Sequence, residues 1–135
     1  MKRVESVAVI ITNDQDEVLL LQRGPQAANL HGKWESIGGK VHDGETHEEA
    51  AIREAMEEAG LEIEIEQQVI EGDYPVEEAS ATFHSIVFTG RIISGEPKIG
   101  EPEKCSAIRW VKKSDLTEMD LAWYTADDFQ KFGWI

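Results

Sequence analysis

The stretch Gly38–Leu61, GGKVHDGETHEEAAIREAMEEAGL, decides how this chain is read. Its paired glycines read as a tight turn. Thr46, followed three residues later by Glu49, is a capping box with Thr46 as N-cap. His47 to Ala59 contains no Gly or Pro and is rich in Ala, Glu and Met, so the segment is helical. Gly60 can take the left-handed conformation that stops a helix. At about 100° per residue, Glu54, Glu57 and Glu58 fall within one sector. Ile52, Ala55, Met56 and Ala59 make an apolar stripe beside them, which would seat the helix on a sheet.

Carboxylates this close repel one another, by a few tenths of a kcal/mol when exposed and more when buried. A hard divalent cation reverses that penalty, and Mg²⁺ is held by a few carboxylates together with substrate phosphates. Arg53 can pair with Glu49 or Glu57 and fix the acidic face in one geometry. Composition alone would make this a solvated acidic face; the spacing argues otherwise.

Gly39, five residues, Glu45, seven residues and then Arg53-Glu54-Ala55-Met56-Glu57-Glu58-Ala59-Gly60-Leu61 resembles the Nudix box, the signature of the Nudix hydrolases. The resemblance implies an α/β fold, an α/β/α sandwich with a mixed central sheet and the box as loop–helix–loop. It implies metal-dependent cleavage of a diphosphate linkage in a nucleoside diphosphate derivative, with Mg²⁺ as cofactor or Mn²⁺ in its place. Carried over position by position, Glu54, Glu57 and Glu58 are metal ligands, joined by the backbone carbonyl of Gly38. Arg53 orients the glutamates, Glu45 supports the loop and Gly60 closes the helix. Gly39, Lys40, Arg23 and His84 are the substrate-binding candidates. Ile37 stands where family members often have Pro, which alters loop stiffness rather than chemistry.

The chain has 135 residues and 41% hydrophobic content, as expected of one domain, 1–135, with one core. No apolar run approaches the roughly 20 residues of a membrane span. Glu5 and Ser6 interrupt the N-terminal apolar stretch, which reads as a strand rather than a signal peptide. Cys105 is the only cysteine, and a reducing cytoplasm is the expected location. The net charge of −14 disfavours nucleic acid as a partner and repels free anionic nucleotides, but a metal-bound nucleotide less so. A homodimer is left open.

Arg3 to Thr12 reads as a central strand, Asn13–Asp16 as a turn, and Glu17–Gln22 as a second strand forming a hairpin with the first. Arg23 ends that strand, where an Arg either grips phosphate or stays solvated. The loop 26–33 and Trp34 resemble the GKWE lead-in of MutT-like relatives, with Trp34 expected to pack under the box loop. His31 and His42 are loop histidines, exposed or in reach of phosphate. Leu61–Ile70 alternates as an amphipathic strand, Glu71–Ser80 reads as a loop, and Thr82–Ile93 as a further central strand whose His84 and Ser85 face the pocket. In the polar loop Ile99–Ser106, Glu101 and Glu103 are both candidates to approach the metals, with Glu103 preferred through resemblance to nucleotide-cleaning relatives. Cys105 reads as structural. Ser114 and Thr125 are the expected N-caps of two C-terminal helical segments. Trp123, Tyr124, Phe129, Phe132 and Trp134 cover the core, with one or two free to line a base pocket or a dimer contact.

The preferred substrate is a nucleoside triphosphate, oxidised or noncanonical ones included, cut to monophosphate and pyrophosphate. ADP-ribose or a dinucleoside polyphosphate is the alternative within the family. A non-catalytic nucleotide-binding module is the alternative outside enzymes, and it would call for lost box glutamates, none of which is lost. The isomerase branch would need a catalytic cysteine that Cys105 is poorly placed to supply, and RNA decapping a basic surface. Attack of water on phosphorus needs a base, either Glu57 or the loop glutamate.

Overall fold

A computed structural model describes residues 2–135. The helix α1 (His47–Ala59) forms as its ends predict. Glu49 N donates to Thr46 Oγ1 at 3.1 Å and Thr46 N donates to Glu49 Oε1 at 2.9 Å, while Gly60 sits at φ 66°. Its seat differs from the expected stripe. Ala50, Ala51, Ala55 and Ala59 are buried, whereas Ile52 and Met56 are 42% and 52% exposed. An all-alanine face lets the helix lie close against the sheet, and that closeness brings its glutamates onto neighbouring backbone.

The strands are β1 (Lys2–Ile11), β2 (Glu17–Arg23), β3 (Trp34–Glu35), β4 (Ile37–Lys40), β5 (Glu62–Val76), β6 (Ala81–Ser94) and β7 (Cys105–Lys112). They form a mixed four-stranded sheet, β4-β1-β6-β5, and an antiparallel three-stranded sheet, β3-β2-β7. In the first, β1 and β6 run parallel, with Ser6 opposite Ser85, and the outer pairs are antiparallel. The expected β1–β2 hairpin ladder does not form; the backbones pair only through an isolated Thr12–Val18 bridge. The reason lies in β2 itself. Val18, Leu19, Leu20 and Leu21 are all buried, so β2 needs cover on both faces and finds it as the middle strand of the second sheet.

Three further boundaries move. Glu71–Val76 continues β5 instead of looping, and only a 3₁₀ turn at Glu77–Ala79 separates it from β6. Pro75 is tolerated there because β5 is an edge strand. Ser114 caps nothing: a 3₁₀ segment, Lys113–Glu118, starts after Lys112 without a side-chain cap. The last helix, α2 (Trp123–Lys131), begins two residues before Thr125, which is buried inside it. Ala122 holds its start by donating its N–H to Trp34 O at 2.9 Å, a tertiary bond doing what a side-chain cap would do.

Odd-numbered residues of β1 (Val7, Val9, Ile11) pack with Leu19, Leu21 and the α1 alanines; Ile10 packs with Val18, Leu20, Leu116 and Phe129 of α2. Helices therefore cover both faces of the strand layer, the expected α/β/α arrangement. Trp34 is structural but lies in the α2-side core, with the Arg109 guanidinium over its ring, and not under the box loop. Among the described residues no helix is long and apolar enough to cross a membrane.

Candidate active site

Gly38 and Gly39 sit in β4, opposite Ala8 and Val7, and not in a turn. Their small size is required by crowding. A Cβ on Gly38 would stand 2.5 Å from Val7 O, and one on Gly39 2.5 Å from Glu54 Oε1. The strand thus passes directly beneath the acidic edge of α1. Gly38 N donates to Glu58 Oε1 at 3.0 Å, which joins helix and strand.

Arg53 organises the acidic face. Its guanidinium donates to Glu45 (2.8 and 3.1 Å), Glu54 (2.8 Å), Glu57 (3.0 Å) and the Lys40 carbonyl (3.0 Å). Glu45 also accepts from His42 N at 3.0 Å, closing the loop between β4 and α1. The bonds from Arg53, with that from His42 N, hold the Glu45 carboxyl down at about 2. Glu54 and Glu58 move the other way. Burial raises both, and their mutual charge and that of Glu101 push Glu58 well above the usual carboxylate range. Glu57 is half-exposed and tied to Arg53.

A cleft of about 690 Å³ opens beside this cluster. Glu54, Glu58, Gly38, Gly39 and Glu101 line one end. Glu101 arrives because its loop lies along the C-terminus of α1: Lys98 N and Gly100 N donate to the carbonyls of Ala59 and Glu58, each at 3.0 Å. A side chain at Gly100 would collide with the Glu57 carbonyl, so glycine is needed there. Glu103, the residue preferred from sequence, does not line the cleft; it is exposed, and its carbonyl accepts from Gln26 N. Lys40, Lys104 and His42 lie along the wall. Three carboxylates at one end of the cleft, Glu54, Glu58 and Glu101, beside glycines that leave no Cβ in the way, suit a hard divalent cation.

The other end is built by Tyr74 of β5, Trp123, Tyr124 and Asp128 of α2, and Ser6 and Ser85 on the floor. Tyr74 meets the Trp123 ring edge-on at 5.3 Å, and Trp123 is 51% exposed. Burial lifts the Asp128 carboxyl to about 6. Arg23 lines the cleft, but it is clamped by Glu35 (3.1 and 3.0 Å) and the Asn29 carbonyl (2.8 Å), so it does not stand open to a phosphate. Glu35 also accepts from Tyr124 O–H, and burial pushes that phenol up. His84 does not line the cleft. It bonds Glu5 and Glu71 on the opposite face of the sheet, whereas Ser85 does line it. His31 bonds the Ala27 carbonyl at 2.6 Å. Cys105 is buried, donates to Ala107 O, and has its thiol pushed up by burial, as a structural cysteine should.

From the sequence, Glu35 and Lys104 have no role, and Asp128 only that of an acidic residue near the positive end of the last helix. The KWE triplet carried a signal for Glu35, since a glutamate beside a core tryptophan needs a partner. Asp128 carried none, because its burial depends on where α2 docks.

The sequence profile of the NUDIX domain matches residues 2–131. A CTP pyrophosphohydrolase of Escherichia coli is 42% identical over 69 residues, covering 51% of this chain and 50% of that protein. A human 8-oxo-dGDP phosphatase is 31% identical over 118 residues, 87% of this chain and 31% of its own. The chain thus spans half or less of these relatives. A MutT protein from Methanosarcina mazei superposes with a TM-score of 0.85 at 27% identity, covering 98% of this chain and 94% of that one.

Proposed function

The chain belongs to the NUDIX family, and we propose that its cleft hydrolyses the diphosphate linkage of a nucleoside triphosphate, releasing monophosphate and pyrophosphate. One observation carries the reading: Glu54, Glu58 and Glu101 converge at one end of a cleft whose other end is aromatic and carries Asp128, whose carboxyl is raised to about 6. That layout suits phosphates at the acidic end and a base at the other. The size, about 690 Å³, lies in the range of small-molecule sites. Relatives that cut CTP or act on oxidised guanine nucleotides support the same substrate class.

Glu54 and Glu58, with Gly38 O and Glu101, would hold Mg²⁺ or Mn²⁺; Glu57 stands one turn from Glu54 and shares Arg53 with it. When bound, the cation neutralises phosphate charge and makes water a better nucleophile near neutral pH. Arg53 keeps Glu54 and Glu57 in place, so that the carboxylates need not reorganise as charge develops. Lys40 and Lys104 offer ammonium groups to the phosphates. Glu101 takes the proton from the attacking water, since it lines the cleft while Glu57 is engaged by Arg53. Tyr74 and Trp123 flank the base, and Asp128 or Ser85 reads its edge.

The test is product analysis of canonical and oxidised dNTPs, ADP-ribose and a diadenosine polyphosphate, with Mg²⁺, Mn²⁺ or EDTA, beside Glu54→Gln. Monophosphate plus pyrophosphate, lost in EDTA and strongly reduced in the variant, is expected. AMP plus ribose phosphate as the main activity would move the protein to the ADP-ribose class; no turnover, with metal-dependent nucleotide binding, would make it a binding module.

A further inference from the structure

On the α1 face of the four-stranded sheet, away from the cleft, three metal-ligating side chains converge. Glu5 of β1 lies directly opposite His84 of β6, and His47 is the first residue of α1. Their ligand atoms lie within 4.8 Å of one another. His47 Nε2 stands 3.3 Å from Glu5 Oε1, and His84 Nδ1 stands 2.6 Å from the same oxygen. The two rings meet edge to face, 5.8 Å between centroids at 84°.

We propose that Glu5, His47 and His84 form a second metal site, selective for a transition cation of the Zn²⁺ type. Three observations carry it. First, His47 Nε2 is enclosed, points at Glu5 and has no hydrogen-bond partner among the described residues; a buried polar atom without a partner calls for one. Second, the other nitrogen of His84, Nε2, is 2.8 Å from Glu71 Oε2. A carboxylate behind a ligating imidazole is the usual means of fixing its tautomer and orientation. Third, the 3.3 Å edge between His47 Nε2 and Glu5 Oε1 already matches a tetrahedron with metal–ligand bonds of about 2.0 Å, and the 2.6 Å His84 Nδ1–Glu5 Oε1 contact, a hydrogen bond without the ion, would open by about 0.7 Å to match it. Two imidazoles and one carboxylate suit Zn²⁺ or Co²⁺ and are poor ligands for Mg²⁺, so the site is chemically distinct from the all-oxygen cleft. The side chains of His47 and His84 are 21% and 14% exposed and that of Glu5 38%, which leaves an entry path and room for water at the remaining positions. An ion here would tie β1 and β6 to the first turn of α1, the helix that carries the cleft carboxylates.

The experiment titrates the full chain, free of any histidine tag, with Zn²⁺ and Co²⁺ in millimolar Mg²⁺. It is followed by calorimetry, Co²⁺ visible absorption and thermal melting. The Glu54→Gln/Glu58→Gln double variant is run in parallel, so that the cleft cannot supply the site. One equivalent should bind in both proteins, insensitive to Mg²⁺, and raise the melting midpoint by roughly 5–10 °C near saturation. His47→Ala and His84→Asn should each weaken binding at least about 100-fold, and Glu71→Gln by about 10-fold. His47→Ala removes a partly exposed ring from a helix end, so a folded variant is available even if His84→Asn is not. The proposal is overturned if no Zn²⁺ binds, which would leave Glu5, His84 and Glu71 as a plain ion-pair chain. It is equally overturned if binding survives His47→Ala unchanged or disappears in the cleft double variant.

Discussion

Adjacent glycines in β4 should fail in opposite ways. At Gly38 an added Cβ meets the Val7 carbonyl oxygen at 2.5 Å. That atom is backbone within the β1–β4 ladder and cannot swing aside, so the strands must part by about 0.8 Å to reach ordinary contact. Overpacking of this kind costs about 1–3 kcal/mol and a weakened ladder bond about 1 more. Gly38→Ala should therefore lose about 2–4 kcal/mol and melt roughly 10 °C lower. At Gly39 the added Cβ meets Glu54 Oε1 at 2.5 Å and Cδ at 2.7 Å, the end of a side chain that can rotate away. Its displacement sacrifices the 2.8 Å bond from Arg53 and misplaces a carboxylate by about 1 Å. Gly39→Ala should cost about 1 kcal/mol of stability but about 100-fold in turnover. Urea unfolding and steady-state hydrolysis on the same preparations separate the two. If Gly39→Ala keeps turnover within threefold, or Gly38→Ala unfolds at the wild-type midpoint, the crowding argument fails.

Three more outcomes are expected. Glu101→Gln should reduce kcat by about 100-fold and Glu103→Gln by less than threefold, because only the first lines the cleft; equal losses in kcat would count against the assignment of the base. Glu58→Gln should stabilise the protein in EDTA by about 1–3 kcal/mol while lowering activity, since a buried carboxylate beside Glu54 and Glu101 is destabilising when ionised. That gain is full above the raised folded-state pKa of Glu58 and fades as the pH falls from there toward the ordinary carboxylate value, below which it is absent; a less stable variant in EDTA would refute the burial argument. Asp128 has its folded-state pKa raised to about 6 from 3.8. The native state binds the extra proton between those values, so stability falls as pH rises across that window. Asp128→Asn, discounted for partial solvent access, should add about 1–2 kcal/mol at pH 7.5 and progressively less toward pH 4, read by urea unfolding across pH.

The helix and its ends were legible because their causes are local. A capping box needs only Thr46 and Glu49, and a left-handed stop needs only Gly60. The grouping of Glu54, Glu57 and Glu58 was legible because one helical turn fixes their relative directions, and Arg53 lies within reach of the first two. The seat of the helix was misread. Periodicity gave Ile52 and Met56 the sheet side by hydrophobicity, yet the strand beneath demands residues small enough for close approach.

What the sequence by itself determined is therefore the box helix, the alternating strands, the single structural cysteine and the family. Each rests on contacts between residues near in the chain or on spacing that chance does not reproduce. Only the tertiary structure decided that β2 leaves β1 for a second sheet, that Glu101 and not Glu103 reaches the carboxylates, and that His84 turns from the cleft toward Glu5 and His47. The physical reason is common to all three. Which face of a strand is covered, and which loop residue a distant helix end captures, depends on burial and hydrogen bonds made across tens of residues, and no local pattern encodes those partners.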